Sequence, residues 1–101
     1  MKESALCPRL AKAMELIGKR WTALIIYQLL DGPQRFNAIE SALPISGRLL
    51  SERLKELEKE SIVERKVYSE VPIRVEYSLT EKGSSLEGAV REIEKWAQKW
   101  I

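Results

Sequence analysis

Two groups of residues in this sequence have types and spacing that could do chemistry. The first is Cys7, set directly before Pro8, with Lys2, Arg9 and Lys12 close in sequence. It is the only cysteine in a chain that contains no histidine. A thiol at a helix N-terminus meets the positive end of the macrodipole and unpaired backbone N–H groups, and both favour the thiolate. Thiolate is the form that attacks oxidants, quinones and other electrophiles. The competing reading is a small buried hydrophobe filling a gap beneath a first helix. Position alone fits both.

The second group is Arg48, Ser51, Glu52 and Lys55. At about 100° per residue, Leu50, Leu54 and Leu57 define one side of a helix from Gly47 to about Glu60, and these four residues point the opposite way. Ser46 reads as its N-cap. A fork donor, a hydroxyl, a carboxylate and an ammonium near a helix start can read base edges and hold phosphates in a major groove. They can equally form a solvated face, with Glu52 and Glu56 paired to Arg48, Arg53 and Lys59. The helix alone does not choose.

The elements that must position these groups decide more. Leu10, Ala13, Met14 and Ile17 predict a helix that starts at Pro8 and closes at Gly18. A second helix is expected from Lys19 or Arg20 to Leu30, with Trp21, Leu24, Ile25 and Leu29 on one side and Asp31-Gly32-Pro33 as its stop. Phe36, Ile39 and Leu43 predict a short third helix ended by Pro44. After the fourth helix the period changes to two: Val63, Arg65 and Val67 alternate with Glu64, Lys66 and Tyr68, then Val75, Tyr77 and Leu79 alternate with Arg74, Glu76 and Ser78. That is a hairpin with its tip at Glu70-Val71-Pro72. Thr80 is a candidate N-cap for a last helix carrying Leu86, Val90, Ile93, Ala97 and Trp100 at helical spacing.

This order predicts a mainly α fold with a small β-hairpin wing (α+β), a winged helix-turn-helix. One domain covers 1–101, with a reading helix at about 46–60, a wing at about 62–79 and terminal helices at about 8–18 and 80–101. Double-stranded DNA is then the expected partner. Ser46, Gly47, Arg48, Ser51, Glu52 and Lys55 face it from the helix, and Lys66 and Arg74 reach phosphates from the wing. Lys19, Arg20, Gln34 and Arg35 flank helix starts and suit the DNA backbone. Trp21 and Phe36 read as core.

Composition narrows the field without identifying a function. With 101 residues, 45% of them hydrophobic and 32% charged, the chain can build one core and does not resemble a disordered segment. One cysteine excludes an intramolecular disulfide framework. No signal-peptide or membrane-spanning stretch is visible, so a cytoplasmic location is expected and a membrane partner is not. Without a histidine, a metal-ligand cluster, a phosphate loop or a nucleophile–base pair, neither an enzyme nor a cofactor or metal is expected. A net charge of +2 does not argue for nucleic acid, although residues 1–35 hold six basic against three acidic side chains.

Four stretches together make a family pattern: Gly18-Lys19-Arg20-Trp21, Asp31-Gly32-Pro33-Gln34-Arg35-Phe36, Leu54-Lys55-Glu56-Leu57 and Tyr77-Ser78-Leu79-Thr80-Glu81-Lys82-Gly83. With them, and with a tryptophan-bearing last helix, the chain resembles the HxlR-type (DUF24) branch of the MarR-like bacterial transcription regulators from Cys7 to Trp100. The resemblance implies a homodimer on an inverted-repeat operator, commonly as a repressor. Several members carry a cysteine at the position of Cys7-Pro8 and use it to sense quinones, aldehydes or disulfide stress; others answer to ligands. Many of the sensing members have a second, C-terminal cysteine, which this sequence lacks. The resemblance therefore leaves an intersubunit Cys7–Cys7 bond, a mixed disulfide with a small thiol, or alkylation.

Dimerisation also follows from the stripes themselves. Leu10, Met14 and Ile17 on the first helix, and Leu86, Val90, Ile93, Trp96, Ala97 and Trp100 on the last, are more apolar surface than a monomer this small can hide. Pairing them across a two-fold axis would set two reading helices about 34 Å apart, one turn of DNA. Two alternatives stay open: a regulator answering to a non-covalent ligand with Cys7 inert, and a winged-helix module that binds only proteins.

Overall fold

Helical spacing in the sequence becomes helices in the expected order, and the alternating stretch becomes one hairpin. The computed structural model describes residues 7–101. They form α1 (Pro8–Ile17), α2 (Thr22–Leu29), α3 (Phe36–Ala42), α4 (Gly47–Lys59), β1 (Val63–Tyr68), β2 (Arg74–Leu79), α5 (Glu81–Ser84) and α6 (Glu87–Trp100). The fold is mainly helical with one two-stranded antiparallel sheet, a winged helix-turn-helix.

The core gathers at the meeting of α2, α3, α4 and the base of β1. Ile25, Ile26 and Leu29 come from α2, Ile39 from α3, Ile45 from the turn, Leu50, Leu54 and Leu57 from α4, and Ile62 and Val63 from the start of the hairpin. Burying a side chain of this size contributes about 1.5–3 kcal/mol. The turn between α3 and α4 is therefore anchored by Ile45 itself. Trp21 and Phe36 lie at the edge of this core and are only partly buried.

Several local features differ from the sequence expectation. α2 begins at Thr22, because Trp21 is its N-cap in the left-handed region (φ 81). Gly18 closes α1 as expected: it is the C-cap, right-handed (φ −74), with its N–H donating to Met14 O at 2.7 Å. A bulky residue in the left-handed region costs about 1–3 kcal/mol and needs its surroundings to hold it. The Arg20 guanidinium lies 4.8 Å from the Trp21 ring centre, and Arg53 Nε of α4 donates to the Arg20 carbonyl at 3.1 Å. Gly32 takes φ 125, which makes Asp31-Gly32-Pro33 the stop that the sequence announced. Leu24, expected on the buried side of α2, is exposed, since Thr22, Ile25, Ile26 and Leu29 take the core-facing positions.

The last segment is two helices. Thr80 Oγ1 accepts from Gly83 N at 3.1 Å and starts the short α5, while α6 begins beyond Leu86. A Cβ at Gly83 would collide with the Ile62 carbonyl oxygen, so only glycine lets α5 lie against the base of the wing. Gln34 adds a third strand position that the sequence did not signal: its N–H donates to Tyr77 O at 2.9 Å, and Tyr77 N–H returns a bond to Gln34 O at 2.8 Å.

Candidate nucleic-acid interface and the α1 thiol

Ser46 opens α4 with its Oγ accepting from Leu49 N at 3.2 Å. The leucine stripe then faces inward and leaves the opposite face in solvent. Arg48 has 91% of its side chain exposed and lies 3.6 Å from Glu52, one helical turn on. An exposed pair of this kind contributes about 0–1 kcal/mol, so a phosphate or a base edge can displace it. Lys55 is exposed, whereas Ser51 and Gly47 are half-buried.

Two charged residues of α4 serve the fold instead. Arg53 Nη1 lies 3.3 Å from Glu56 Oε1, and Lys19 Nζ lies 2.9 Å from Glu56 Oε2. With the Arg53–Arg20 bond, these contacts clamp α4 to the turn between α1 and α2. Lys19 is thus engaged within the chain. Gln34 is engaged as well, donating to Gln28 O at 2.7 Å.

One cation of the wing is engaged within the chain. Arg74 was expected to stand free for phosphate, but it is held by Glu70 at 2.7 Å and by Glu76, and it stacks 3.9 Å from the Tyr68 ring centre. Register explains the stack, because Tyr68 and Arg74 are directly opposite at the outer end of the hairpin. Hydrogen bonding from Arg74, aided by the charges of Arg74 and Arg35 and opposed by burial, holds Glu70 below the usual carboxylate range. Lys66 is exposed and only loosely paired, 3.9 Å from Glu64. Arg35 is the N-cap residue of α3 and exposed.

Cys7 is the N-cap of α1, and its Sγ accepts from Leu10 N at 3.4 Å. Pro8 occupies the first helical turn, as expected. The thiol is exposed in the single chain, so it does not fill a gap beneath α1. Arg9 and Lys12 are exposed on the same helix; Lys2 lies outside the described residues.

The expected dimer residues differ in exposure. Leu10, Met14, Ile93, Trp96 and Trp100 are exposed, and Leu24 and Ile101 join them. Leu86 and Val90 are partly buried and pack on the core of their own chain, where α6 crosses α2. There Tyr27 Oη donates to Glu94 at 2.5 Å, and the Arg91 guanidinium lies 5.2 Å from the Tyr27 ring centre. Ile17 and Ala97 are half-buried. Met14, Ile17, Leu24, Ile26, Val90 and Ile93 contribute to an apolar cavity of about 280 Å³ among α1, α2 and α6. Among the described residues no helix is long and apolar enough to cross a membrane.

Comparison with known proteins agrees with this geometry. The HxlR-like helix-turn-helix family matches residues 16–101. The chain is 58% identical over its full length to the HTH-type transcriptional regulator YvaP of Bacillus subtilis, covering 94% of that protein. It is 48% identical to the HTH-type transcriptional regulator YodB of the same organism, over 96% of this chain and 88% of that one. The reduced form of B. subtilis YodB superposes with a TM-score of 0.84 over 95% of each chain. The redox regulator HypR in its oxidised form superposes with a TM-score of 0.88 at 40% identity, over 94% of this chain and 98% of that one. The chain belongs to the HxlR-like helix-turn-helix family of transcriptional regulators.

Proposed function

We propose that the protein is a sequence-specific DNA-binding repressor that grips an inverted-repeat operator as a homodimer and lets go when Cys7 is modified. The observation that carries the DNA reading is the start of α4. It is capped by Ser46, clamped from behind by Arg53 and Glu56, and presents Arg48, Glu52 and Lys55 to solvent. A rigid helix with an exposed fork donor at its N-terminal end is what major-groove reading requires. The exposed apolar residues of α1, α2 and α6 suit burial against a second copy, since the same patch on both subunits can pair across a two-fold axis.

Cys7 sits where α1 begins, on the helix that carries Leu10 and Met14 into that seam. With a quinone, the thiolate sulfur adds to a ring carbon, the ring takes up a proton, and a hydroquinone thioether results. With a diazene oxidant such as diamide, two thiols lose two protons and two electrons to the N=N bond, which becomes a hydrazine as the disulfide forms. Either product changes the packing at the start of α1 and so the spacing of the two reading helices. Support comes from the relatives: YodB has been crystallised both quinone-bound and after diamide treatment, and HypR in reduced and oxidised forms.

The test is fluorescence anisotropy with duplexes selected from a random pool, at several salt concentrations, with and without benzoquinone. Steeply salt-dependent binding to one palindromic sequence, lost on benzoquinone treatment, is expected. No binding to any duplex would leave a protein-interaction module.

A second reading rests on a cleft of about 1060 Å³ beneath α1, lined by Arg9, Lys12, Lys82, Leu16 and Ile62 among others. Glu15 and Glu60 stand among these cations around an apolar floor, so the cleft suits a small amphipathic ligand, which would act without touching the thiol. Release by such a compound from a Cys7→Ser protein favours this reading.

A further inference from the structure

α6 leans on its own chain along one narrow side. Leu86 and Val90 pack on the core, and Glu94 and Ala97 are half-buried further along the same side. Ile93, Trp96 and Trp100 stay exposed in the single chain. At about 1.5 Å per residue, the 14 residues of α6 reach roughly 21 Å. A small change of angle at its start is therefore magnified at its end.

Packing alone does not fix that angle. The apolar cavity of about 280 Å³ lies among α1, α2 and α6, with Met14, Leu24, Val90 and Ile93 in its lining. Side chains that interlock across a whole interface set a crossing angle, and a void removes those contacts on one side.

One polar contact supplies what the packing lacks. Tyr27 Oη of α2 donates to Glu94 Oε2 of α6 at 2.5 Å, the length of a strong bond to an ionised carboxylate. Arg91 Nη1 lies 3.5 Å from Glu94 Oε1, and its guanidinium lies 5.2 Å from the Tyr27 ring centre. The carboxylate is thus held from two sides. Hydrogen bonding to Glu94 raises the Tyr27 phenol above its ordinary range, so it remains the donor at neutral pH. Among the described residues, no other side-chain hydrogen bond or ion pair joins α6 to the rest of the chain.

We propose that Tyr27 is a positioning residue: its hydrogen bond to Glu94 fixes the angle of α6 against the reading head and so sets the operator half-site spacing that the dimer accepts. This rests on the DNA-binding homodimer reading above, in which the exposed end of α6 meets its counterpart across the two-fold axis. Ile25, Ile26 and Leu29 of α2 share one core with Leu50, Leu54 and Leu57 of α4, so α2 and the reading helix form one body. The angle between α2 and α6 is then the angle between the reading helix and the dimer seam. One base pair of spacer is roughly 3.4 Å along the duplex, so a shift of half that at each reading helix changes the preferred spacing.

The test uses the full chain and duplexes carrying two half-sites selected by the wild-type protein, with the spacer lengthened or shortened one base pair at a time. The wild-type protein is expected to favour one spacing by about tenfold over its neighbours, because a misplaced half-site forfeits simultaneous engagement. Tyr27→Phe keeps the ring beside Arg91 and removes only the hydroxyl. It should bind several spacings within about threefold of one another. Glu94→Ala should behave in the same way, whereas Glu94→Gln, which retains an acceptor, should keep the wild-type preference. All three variants should bind a single half-site as the wild-type protein does and remain dimeric in sedimentation velocity. An unchanged spacing profile in Tyr27→Phe would overturn the proposal. Weakened binding to a single half-site, or a monomeric variant, would also overturn it and leave the bond a purely structural role. If the wild-type protein selects no duplex with two half-sites, the homodimeric DNA reading itself falls and takes the spacing proposal with it.

Discussion

Lys19 Nζ lies 2.9 Å from Glu56 Oε2, a contact between residues 37 apart that ties α4 to the turn after α1. The hydrogen bond from Lys19 is the main reason that Glu56 titrates below its ordinary value of 4.5; partial burial opposes it, and the charges of Lys19 and Arg53 add to it. A depressed carboxylate contributes stability that is present above the unfolded pKa and lost as pH falls through the folded one. Glu56→Gln should therefore lower stability at pH 7 by a few tenths to about 1 kcal/mol, the range for a partly exposed pair. The difference should begin to shrink as pH falls through 4.5 and disappear only in stronger acid, below the depressed folded value. Urea denaturation at both pH values checks this, and a difference that persists in acid would be the wrong result.

Arg48 is expected to read sequence without supporting the fold. Arg48→Ala should cost about 1–3 kcal/mol in operator binding and relax selectivity at one position per half-site. Its exposure predicts an unchanged melting temperature. Competition binding with operators mutated one pair at a time measures both effects. Full affinity and selectivity in the variant would place the reading face elsewhere.

Cys7→Ser separates the sensing role of the thiol from its capping role. Serine is a good N-cap, so α1 should be at least as stable as in the wild-type protein. The variant should bind the operator normally and stay bound in benzoquinone or diamide, while the wild-type protein is released. On a non-reducing gel, oxidised wild-type protein should include a species at twice 11.6 kDa if an intersubunit Cys7–Cys7 bond forms. A variant that is still released by both reagents would remove Cys7 from the switch.

Ile93→Glu combined with Trp100→Ala should yield a folded monomer. Both positions are exposed in the single chain, at 60% and 67%, so their replacement should not disturb the core. Sedimentation velocity should show the monomer mass, and operator affinity should fall at least tenfold as the second half-site contact is lost. A variant that remains dimeric would move the interface away from the exposed end of α6.

Much of the fold was legible in the sequence because short-range rules suffice for it. The leucines at 50, 54 and 57 set the buried side of α4, Ser46 caps it, and alternation at 63–68 and 74–79 sets the strands. Trp21 in the left-handed region was not legible, because what holds it is Arg53, on a helix far along the chain. The pairing of Gln34 with Tyr77 was hidden for the same reason, as one bridge residue carries no period. Leu86 and Val90 show the limit of an amphipathic stripe. A stripe says that a face must be buried and does not say against what.

Residue order alone determined the element types, the outward face of α4 and the position of the thiol at a helix start, since each depends on neighbours within one or two turns. Which charges remain available was decided only by tertiary structure. Arg53, Lys19 and Arg74 are spent on partners within the fold, while Arg48, paired only loosely to Glu52, stays exposed. An ion pair depends on distances set by packing, and those distances exist only once the helices and the wing have met.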